Sequence, residues 1–486
     1  LAPMLTEAFP KLNTSRVILG LRAFLRSRWF IALIALLMVC SELFSLELYV
    51  IGAYAVLGLA IVLVSEDTLP AVPMVVCGYM LMSAKNNIGF HPDSLLAQPY
   101  AQFTIGFCVA VLAVCFLGRL VSKLMERKKR GVPKFLSGFV LLGAAYLLGG
   151  LGSSFYDAAS ALFGVVQILA LSGFYFYFYF TVDWENTPED YLAELFTIVG
   201  VGVFLEVVGT YFNPGAPGLD GEGDRAQLYT GWGVWNCVGC VMAMCMPAPI
   251  YFAVKKKHGW IYSLVSCVFY LGVILTQSRG SILFGSAVFI ACIVYNLYKA
   301  KGREKLWCGI VYAALLVGAA IAAVLFRDKL ADIFASLINA GMNDSGRLDL
   351  YDQCWNSFLK HPVFGVGWYD SPGIQLGNGS MYPNGDPHLE GYFIPGFAHN
   401  TFFQLIGFGG AFALIAYLFH RTQTVLLVFR DPTPTKIVAA LCVAAMFLTS
   451  FVDNHVFNMG PGLLYSVLLV FAEKERSPQP ALLKRK

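Results

Sequence analysis

The chain has 486 residues and a formal net charge of +4, with 57% hydrophobic residues, 13% charged residues and a mean hydropathy of +0.65. Soluble domains carry about 25% charged residues, so this composition excludes a soluble globular protein and indicates an integral membrane protein. The small positive charge follows from basic residues gathered on one side of the membrane, and it indicates no nucleic-acid partner.

Fourteen apolar runs follow one another along the chain, and each is a candidate spanning helix because about 20 apolar residues cross a bilayer. Very short turns separate the first two runs and the ninth from the tenth, and two runs are short, so a count of twelve is the main alternative. We therefore predict an all-α, polytopic helical membrane protein with about 12–14 transmembrane helices. The runs lie at 29–45, 48–64, 69–84, 102–122, 135–150, 159–182, 192–211, 231–254, 260–276, 280–298, 306–326, 400–419, 437–451 and 458–472.

Basic residues divide unevenly between the two sides that these spans define. Threading all 34 Lys and Arg residues through the fourteen runs puts 27 on one side and seven on the other. Because Lys and Arg accumulate in cytoplasmic loops, both termini are predicted to be cytoplasmic. The loops 65–68 and 183–191 on that side are acidic, but acidic residues weigh little on orientation. Residues 1–28 favour a polar, basic lead before a true span over a cleavable signal peptide.

One segment between late spans is large enough to form a subdomain, and it divides the chain into three parts. Residues 1–326 hold transmembrane helices 1–11, and residues 327–399 form an extracytoplasmic loop subdomain. Residues 400–486 hold transmembrane helices 12–14 and a cytoplasmic tail. Much of the loop is irregular and rich in Gly, Pro, Asn and aromatic residues, and long irregular loops are usually functional.

Two arginines on the predicted outer side are candidates for binding an anion. Arg279 lies in the tight turn TQSRGSILFG between two spans. Snorkelling to the interface is the alternative role, but outer arginines are disfavoured by the orientation rule, so we favour a function. Arg347 begins an amphipathic helix that the apolar spacing predicts over 346–360. For Arg347 alone, a surface ion pair of little energetic weight is an equal alternative.

A histidine opens the twelfth predicted span in the string HNTFFQLIGFGG. The neutral imidazole of His399 near pH 7 is a natural proton acceptor, although an interface histidine without a task is the alternative. Asn400 beside it could orient the ring or cap the helix. The forked donors of Arg279 and Arg347 match a phosphate or pyrophosphate, so a base and an anion site are expected on one side.

Further polar residues near this side carry less certain roles. Glu206 lies within the seventh span, where an acid is a functional hypothesis by default, and we favour a counter-ion to an arginine. Arg225 precedes the mouth of the eighth span. For Asp453, Asn454 and His455 in the last outer turn, a simple polar turn is favoured over a supporting contact to the site. The histidines are scattered and indicate no metal site.

The order of these motifs resembles a known family. An SRG turn, a long outer loop with an Arg-led helix, the string HPVFGVGW and an HN pair opening the next span follow one another. Over residues 200–420 this pattern resembles the O-antigen ligase / O-antigen polymerase superfamily of polytopic membrane glycosyltransferases. The resemblance implies a bacterial inner-membrane enzyme, metal-independent and without cofactors, whose active site is extracytoplasmic.

The resemblance also implies a reaction and its partners. Such enzymes take a glycan from an undecaprenyl-pyrophosphate carrier in the lipid bilayer and pass it to a hydroxyl of an acceptor glycan or glycolipid. The acceptor is lipid A–core for a ligase and the next lipid-linked repeat for a polymerase, and envelope polysaccharide assembly proteins are further candidate partners. By motif match, Arg279 and Arg347 would hold the pyrophosphate and His399 would be catalytic. Arg225 would correspond to a further family arginine, although the residues after it depart from the family pattern.

Two other classes of function compete with this interpretation. A polysaccharide flippase or secondary transporter also has about 12–14 spans, but it should place charges near the bilayer midplane and show internal repeats. Here the charges cluster on one side, which favours the enzyme. A scaffold subunit of an envelope assembly would not need the combination of Arg279, Arg347 and His399.

Overall fold

The computed structural model describes residues 15–44, 46–82, 99–126, 131–153, 156, 158–212, 228, 230–325, 327, 347–367, 398–455 and 459–475. All regular secondary structure in these residues is helical, apart from one isolated β-bridge between Thr230 and Gly233. The all-α, polytopic prediction is therefore confirmed. The rest of the predicted outer loop and the segment containing Arg225 lie outside the described residues.

The helices of the described residues follow the hydropathy pattern closely. All fourteen predicted spans coincide with a helix or, for 231–254, with two consecutive helices interrupted at Pro247. The amphipathic helix predicted over 346–360 is confirmed as α14. The helices are α1 Arg16–Leu25, α2 Arg28–Phe44, α3 Glu47–Val64, α4 Ala71–Met82, α5 Pro99–Met125, α6 Leu136–Leu148, α7 Ala158–Thr181, α8 Tyr191–Thr210, α9 Trp235–Cys245, α10 Ala248–Lys255, α11 Trp260–Leu275, α12 Arg279–Lys299, α13 Gly302–Leu325, α14 Arg347–Lys360, α15 Thr401–Arg430, α16 Pro434–Thr449 and α17 Met459–Lys474.

Helix length decides how many of these elements can cross a bilayer unaided. In the described part of the chain, six segments are long and apolar enough by this measure, or seven if α1 and α2, bent by 63°, count as one. Four shorter apolar helices, α3, α6, α11 and α16, have between 13 and 18 residues. A 16-residue helix spans roughly 24 Å, less than the ~30 Å hydrocarbon core. The count of 12 to 14 spans therefore stays a prediction.

One end of the bundle, which we call the basic face, gathers the loops that the basic-residue count placed together. Arg22 pairs with Glu66 at 2.7 Å, and Arg26 pairs with Asp67 at 2.7 Å. Lys256 pairs with Asp190 at 3.0 Å. Two acids of loop 65–68 and one acid of loop 183–191 are thus paired with basic residues from other segments.

The α9–α10 segment forms the centre of the bundle, because nearly all of its side chains are buried. Small residues let the surrounding helices approach it, as is usual where lipid gives no hydrophobic drive between helices. A Cβ on Gly200 of α8 would overlap the ring of Phe269, and one on Gly239 of α9 would overlap Ser281. Substitutions at these glycines would therefore force the helices apart.

Helix α15 is broken in its first half, and the turn that follows α14 supplies hydrogen-bond partners at the break. Gly410 has non-helical dihedrals, with φ of 61° and ψ of −157°. Residues 362–367, which we call the glycine seam, supply the missing partners: Val366 N donates to Gly407 O at 3.0 Å, and Ala411 N donates to Pro362 O at 2.8 Å. The seam also ties α14 to the end of α6, because Gly150 N donates to Phe364 O at 2.6 Å.

The second half of α15 runs past the predicted end at residue 419 to Arg430. Arg421 was expected in the loop that follows this span, but it is buried between helices. Its guanidinium lies over the rings of Tyr417 and Tyr465 at 4.7 and 4.2 Å. These cation–π contacts explain how the bundle accommodates a buried cation that hydropathy alone placed in a loop.

Candidate functional site

Residues 450–455, the turn between α16 and α17, form the point on which the predicted site residues converge. We call this segment the hub turn. The start of α12 packs on it so closely that a Cβ on Gly280 would overlap Val452. Arg347 Nη1 donates to Val452 O at 3.4 Å, and His399 Nδ1 lies 3.6 Å from Asp453 Oδ1. Three segments that are distant in sequence therefore meet at two consecutive residues.

Arg279 is the first residue of α12, and its side chain is exposed. The turn before it is fixed by Ser278, which caps α12 by accepting from Ser281 N at 3.3 Å. The Ser278 hydroxyl also donates to Asn236 Oδ1 of α9 at 2.9 Å. These contacts hold the backbone at Arg279 in place, while the guanidinium stays accessible to a ligand.

Arg347 begins α14, which packs along the start of α15. The ring of Tyr351 stacks on Phe403 with centroids 4.5 Å apart and planes 5° apart. The Tyr351 hydroxyl donates to His399 O at 3.4 Å. Helix α14 therefore carries Arg347 to the neighbourhood of His399. The counter-ions that the ion-pair alternative would need, Asp344 and the side chain of Asp349, lie outside the described residues.

His399 has a backbone conformation that non-glycine residues rarely adopt, with φ of 50°. Such a conformation costs roughly 1–3 kcal/mol and persists where the surroundings fix it. Here the residue is fixed on both sides: Ala398 N donates to Gln404 Oε1 at 2.8 Å, and Asn400 begins the hydrogen-bonded cap of α15. The imidazole is 38% exposed, so it is both held by the hub turn and open to a substrate.

Asn400 acts as a helix cap, the second of its two predicted roles. Its Oδ1 accepts from Phe402 N at 2.9 Å and from Phe403 N at 3.2 Å. Its Nδ2 donates to Phe451 O at 2.9 Å. Asn400 therefore ties the start of α15 to the hub turn, and it orients His399 through the backbone.

Asp453 is the partner of His399, whereas sequence reasoning favoured a simple polar turn. Its side chain is 10% exposed and accepts from Asn454 N at 2.7 Å. Burial alone would raise the pKa of Asp453, but the interactions with His399, His455 and Asn454 N outweigh burial and hold the pKa well below its usual range. An ionised carboxylate beside Nδ1 favours the tautomer whose Nε2 is free to accept a proton. Asp453 is 54 positions from His399 in the sequence. Its place in a polar turn was therefore the only sequence feature that pointed to a role in the site.

Buried polar groups hold the segments that carry His399 and Asp453 together. Gln404 Oε1 accepts from Asn454 Nδ2 at 2.9 Å, and Thr401 N donates to Ser450 O at 2.9 Å. Burial lowers the pKa of His455 and the nearby Asp453 raises it, with a net lowering. These hydrogen bonds tie the hub turn to α15, whereas Asn454 Oδ1 and His455 Nδ1 are buried without a hydrogen-bond partner among the described residues.

Two acids lie apart from this pair. Glu206 is buried in α8. Of the arginines that it could pair with, Arg225 lies outside the described residues. The counter-ion role of Glu206 therefore stays a prediction. Glu42 of α2 is also buried, and its Oε1 accepts from Gly231 N at 2.7 Å. The rule for acids within spans, applied to Glu206, would have found Glu42 as well.

The match to a protein family covers part of this site. Residues 263–418 match the family model described as O-antigen ligase. The match contains Arg279, Arg347, His399 and Asn400, and it ends before the hub turn. It confirms the predicted resemblance to the O-antigen ligase and polymerase superfamily, and it supports a ligase- or polymerase-type activity in general terms. No curated protein matches the chain.

Proposed function

We propose that this protein is a membrane glycosyltransferase that moves a glycan from an undecaprenyl-pyrophosphate carrier to an acceptor hydroxyl at the outer side of the bacterial inner membrane. The observation that carries the proposal is the convergence of Arg279, Arg347 and His399 on the hub turn. Two of these residues offer positive charge and the third offers a base. The O-antigen ligase match over the segment that contains all three supports the same class of reaction.

The arginines would act on the leaving group. When the bond between the anomeric carbon and the phosphate oxygen breaks, negative charge gathers on the pyrophosphate. Guanidinium groups placed there stabilise that charge more strongly in the transition state than in the ground state. Arg347 uses Nη1 on Val452 O, and a guanidinium has five N–H donors, so donors remain for a phosphate oxygen.

His399 would act on the acceptor. The acceptor oxygen forms a bond to the anomeric carbon and loses its proton, which His399 takes through Nε2. The imidazolium that results lies 3.6 Å from the Asp453 carboxylate through Nδ1, and this contact stabilises it. A positioned base of this kind contributes about 10²–10⁴-fold to the rate.

The test is glycosyl transfer by the purified protein in detergent with a chelator present. The donor is a synthetic undecaprenyl-pyrophosphate glycan, and the acceptors are lipid A–core and a second lipid-linked glycan in separate reactions. We expect a new glycosidic bond, and the productive acceptor distinguishes ligase from polymerase. Loss of wild-type transfer on adding chelator would contradict the metal-free mechanism. Movement of lipid-linked glycan across vesicles without a new glycosidic bond would support a flippase instead.

A further inference from the structure

One face of α12 is exposed along its whole length and carries Arg279 at one end. Exposed positions recur every three or four residues, the spacing that places side chains on one side of a helix. We call this set the α12 stripe. Its larger apolar members are 60–77% exposed: Leu283 at 64%, Ile290 at 60%, Val294 at 62% and Tyr298 at 77%. The full stripe is Arg279, Leu283, Ala287, Ile290, Val294 and Tyr298.

The neighbouring helix α13 leaves the stripe uncovered near Arg279. The two helices touch towards their other end, where Asn296 Nδ2 donates to the Tyr312 hydroxyl at 2.8 Å. Beyond that contact, every residue of 316–325 whose side chain is described is exposed. Because these residues cover all sides of α13, this half of the helix packs on no other helix in the described part of the chain. The part of the stripe next to Arg279 is therefore accessible from the surrounding bilayer.

The dimensions and charge of the stripe fit one kind of molecule. From Arg279 to Tyr298 it extends roughly 28 Å at 1.5 Å per residue, close to the ~30 Å of a hydrocarbon core. Its apolar part suits a hydrocarbon chain, and its cationic end suits an anionic headgroup. Gly280, the next residue, packs on Val452 of the hub turn, so a headgroup at Arg279 lies beside the site.

Another exposed helix shows what the α12 stripe adds. Helix α5 also has exposed apolar residues, including Phe103 at 75% and Val114 at 70%. Its first turn, from Pro99, contains no basic residue. A lipid on α5 would therefore meet the same apolar surface without a charge at its head.

We infer that the α12 stripe is the docking surface for the polyprenyl chain of the lipid carrier, along which its pyrophosphate reaches Arg279 sideways from the bilayer. The inference rests on the proposed function, because it takes that carrier as the donor. Ordinary phospholipids share the apolar chain but not the pyrophosphate, so they occupy the stripe only in proportion to their abundance.

Photocrosslinking tests the inference directly. The photoreactive residue p-benzoylphenylalanine replaces Leu283 or, in a second variant, Ile290, and it replaces Val114 of α5 as the matched control. The full-length variants are placed in phosphatidylethanolamine and phosphatidylglycerol vesicles with radiolabelled undecaprenyl pyrophosphate that carries no sugar. Charge-assisted hydrogen bonds to the headgroup, each worth about 1.5–3 kcal/mol, predict at least about tenfold more label at the stripe than at Val114.

Competition separates the carrier from bulk lipid. Unlabelled undecaprenyl pyrophosphate should remove the label at Leu283, and extra phosphatidylglycerol should leave it in place. Equal labelling at Leu283, Ile290 and Val114 would overturn the inference, as would competition by phosphatidylglycerol. Glycan transfer by the wild-type protein is measured in parallel. Transfer together with equal labelling would contradict the docking surface and support the proposed function. Tenfold labelling without any transfer would support the docking surface and contradict the transferase activity.

Discussion

The two ends of the bundle treat their charges in opposite ways. At the basic face, Arg22, Arg26 and Lys256 each pair with an acid at 2.7–3.0 Å. At the hub turn, neither Arg279 nor Arg347 forms an ion pair with an acid in the part of the chain that the structure describes. Charges at the first end are paired within the fold, so they contribute to its stability. Within that part of the chain, the two arginines at the second end are open to a ligand, as the proposed pyrophosphate site would require.

Replacing the base should lower activity as strongly as any other single change. His399→Ala should lower transfer by about 10²–10⁴-fold, the usual contribution of a general base. The affinity for undecaprenyl pyrophosphate should stay close to that of the wild type, because the arginines address the headgroup. Transfer and binding are measured on the same purified variant. Normal transfer by a folded His399→Ala protein would make this histidine an interface residue without a task.

Replacing the arginines at the hub turn should lower transfer by weakening the proposed pyrophosphate site. Arg279→Lys and Arg347→Lys keep the charge and lose the bidentate fork, so transfer should fall strongly. Two lost charge-assisted bonds are worth about 3–6 kcal/mol before the site relaxes, at roughly 1.5–3 each.

The matched control for the arginines is Arg22→Lys at the basic face, whose partner Glu66 is 75% exposed. Ion pairs with an exposed acid contribute about 0–1 kcal/mol, so this variant should keep nearly full transfer, with a modest loss of stability from the bond of Arg22 Nε to Val64 O. Thermal unfolding in detergent and transfer are measured for all three proteins. Equal activity of the three would show that Arg279 and Arg347 are interface residues.

Asp453→Asn should have an intermediate effect, because it acts through His399. Loss of one charge-assisted contact, about 1.5–3 kcal/mol, predicts a transfer rate lower by about 10–150-fold. The control is Asp431→Asn at the basic face, where Asp431 pairs with Lys436 at 2.9 Å and is 47% exposed. A loss of transfer as large with Asp431→Asn as with Asp453→Asn would point to a general loss of folding.

Asp453 also predicts a pH dependence of stability. Because its folded pKa lies below its usual value, its stabilisation is present above the unfolded pKa of about 3.9 and disappears as the pH falls through the folded pKa. The gap in unfolding temperature between wild type and Asp453→Asn should therefore narrow on acidification below about pH 4. A gap that widens on acidification would contradict the assignment.

The smallest effect is expected at the glycine seam. Gly365 has φ of 64° and lies against the backbone of Phe408, so Gly365→Ala should destabilise the protein by about 1–2 kcal/mol or more. Gly143→Ala in α6 is the control, because no atom would lie within 4 Å of its new Cβ. Unfolding temperature in detergent reports both. A control that loses as much stability as Gly365→Ala would show that the seam imposes no special backbone.

The spans could be predicted because a bilayer makes a one-dimensional demand on the sequence. Apolar length alone placed a helix at each of the fourteen runs, although their number as spans stays a prediction, and periodicity located α14 to within one residue. The break in α15 could not be found this way, since it depends on backbone partners from residues 362–367, which lie far back in the chain. The burial of Arg421 could not be predicted for the same reason, because its partner Tyr465 comes from another helix.

The residues of the proposed site could be predicted from the sequence only where their motifs stay together in the chain. Arg279, Arg347 and His399 each sit in a short recognisable string, and their order carried the resemblance. Asp453 lies in no such string, and its pairing with His399 arises from the packing of the hub turn on α15. A polar turn gives no sign of its partner until the helices around it are placed.

The central claim is that His399 and Asp453 work as one unit assembled by the hub turn, and a double-mutant comparison tests it most directly. Single-turnover transfer from a radiolabelled donor is measured for His399→Ala, Asp453→Asn and the protein carrying both changes. Residues that act as a unit lose activity non-additively, so the double variant should transfer no more slowly than His399→Ala alone. A double variant whose loss equals the product of the two single losses would contradict the claim, because Asp453 would then act without His399.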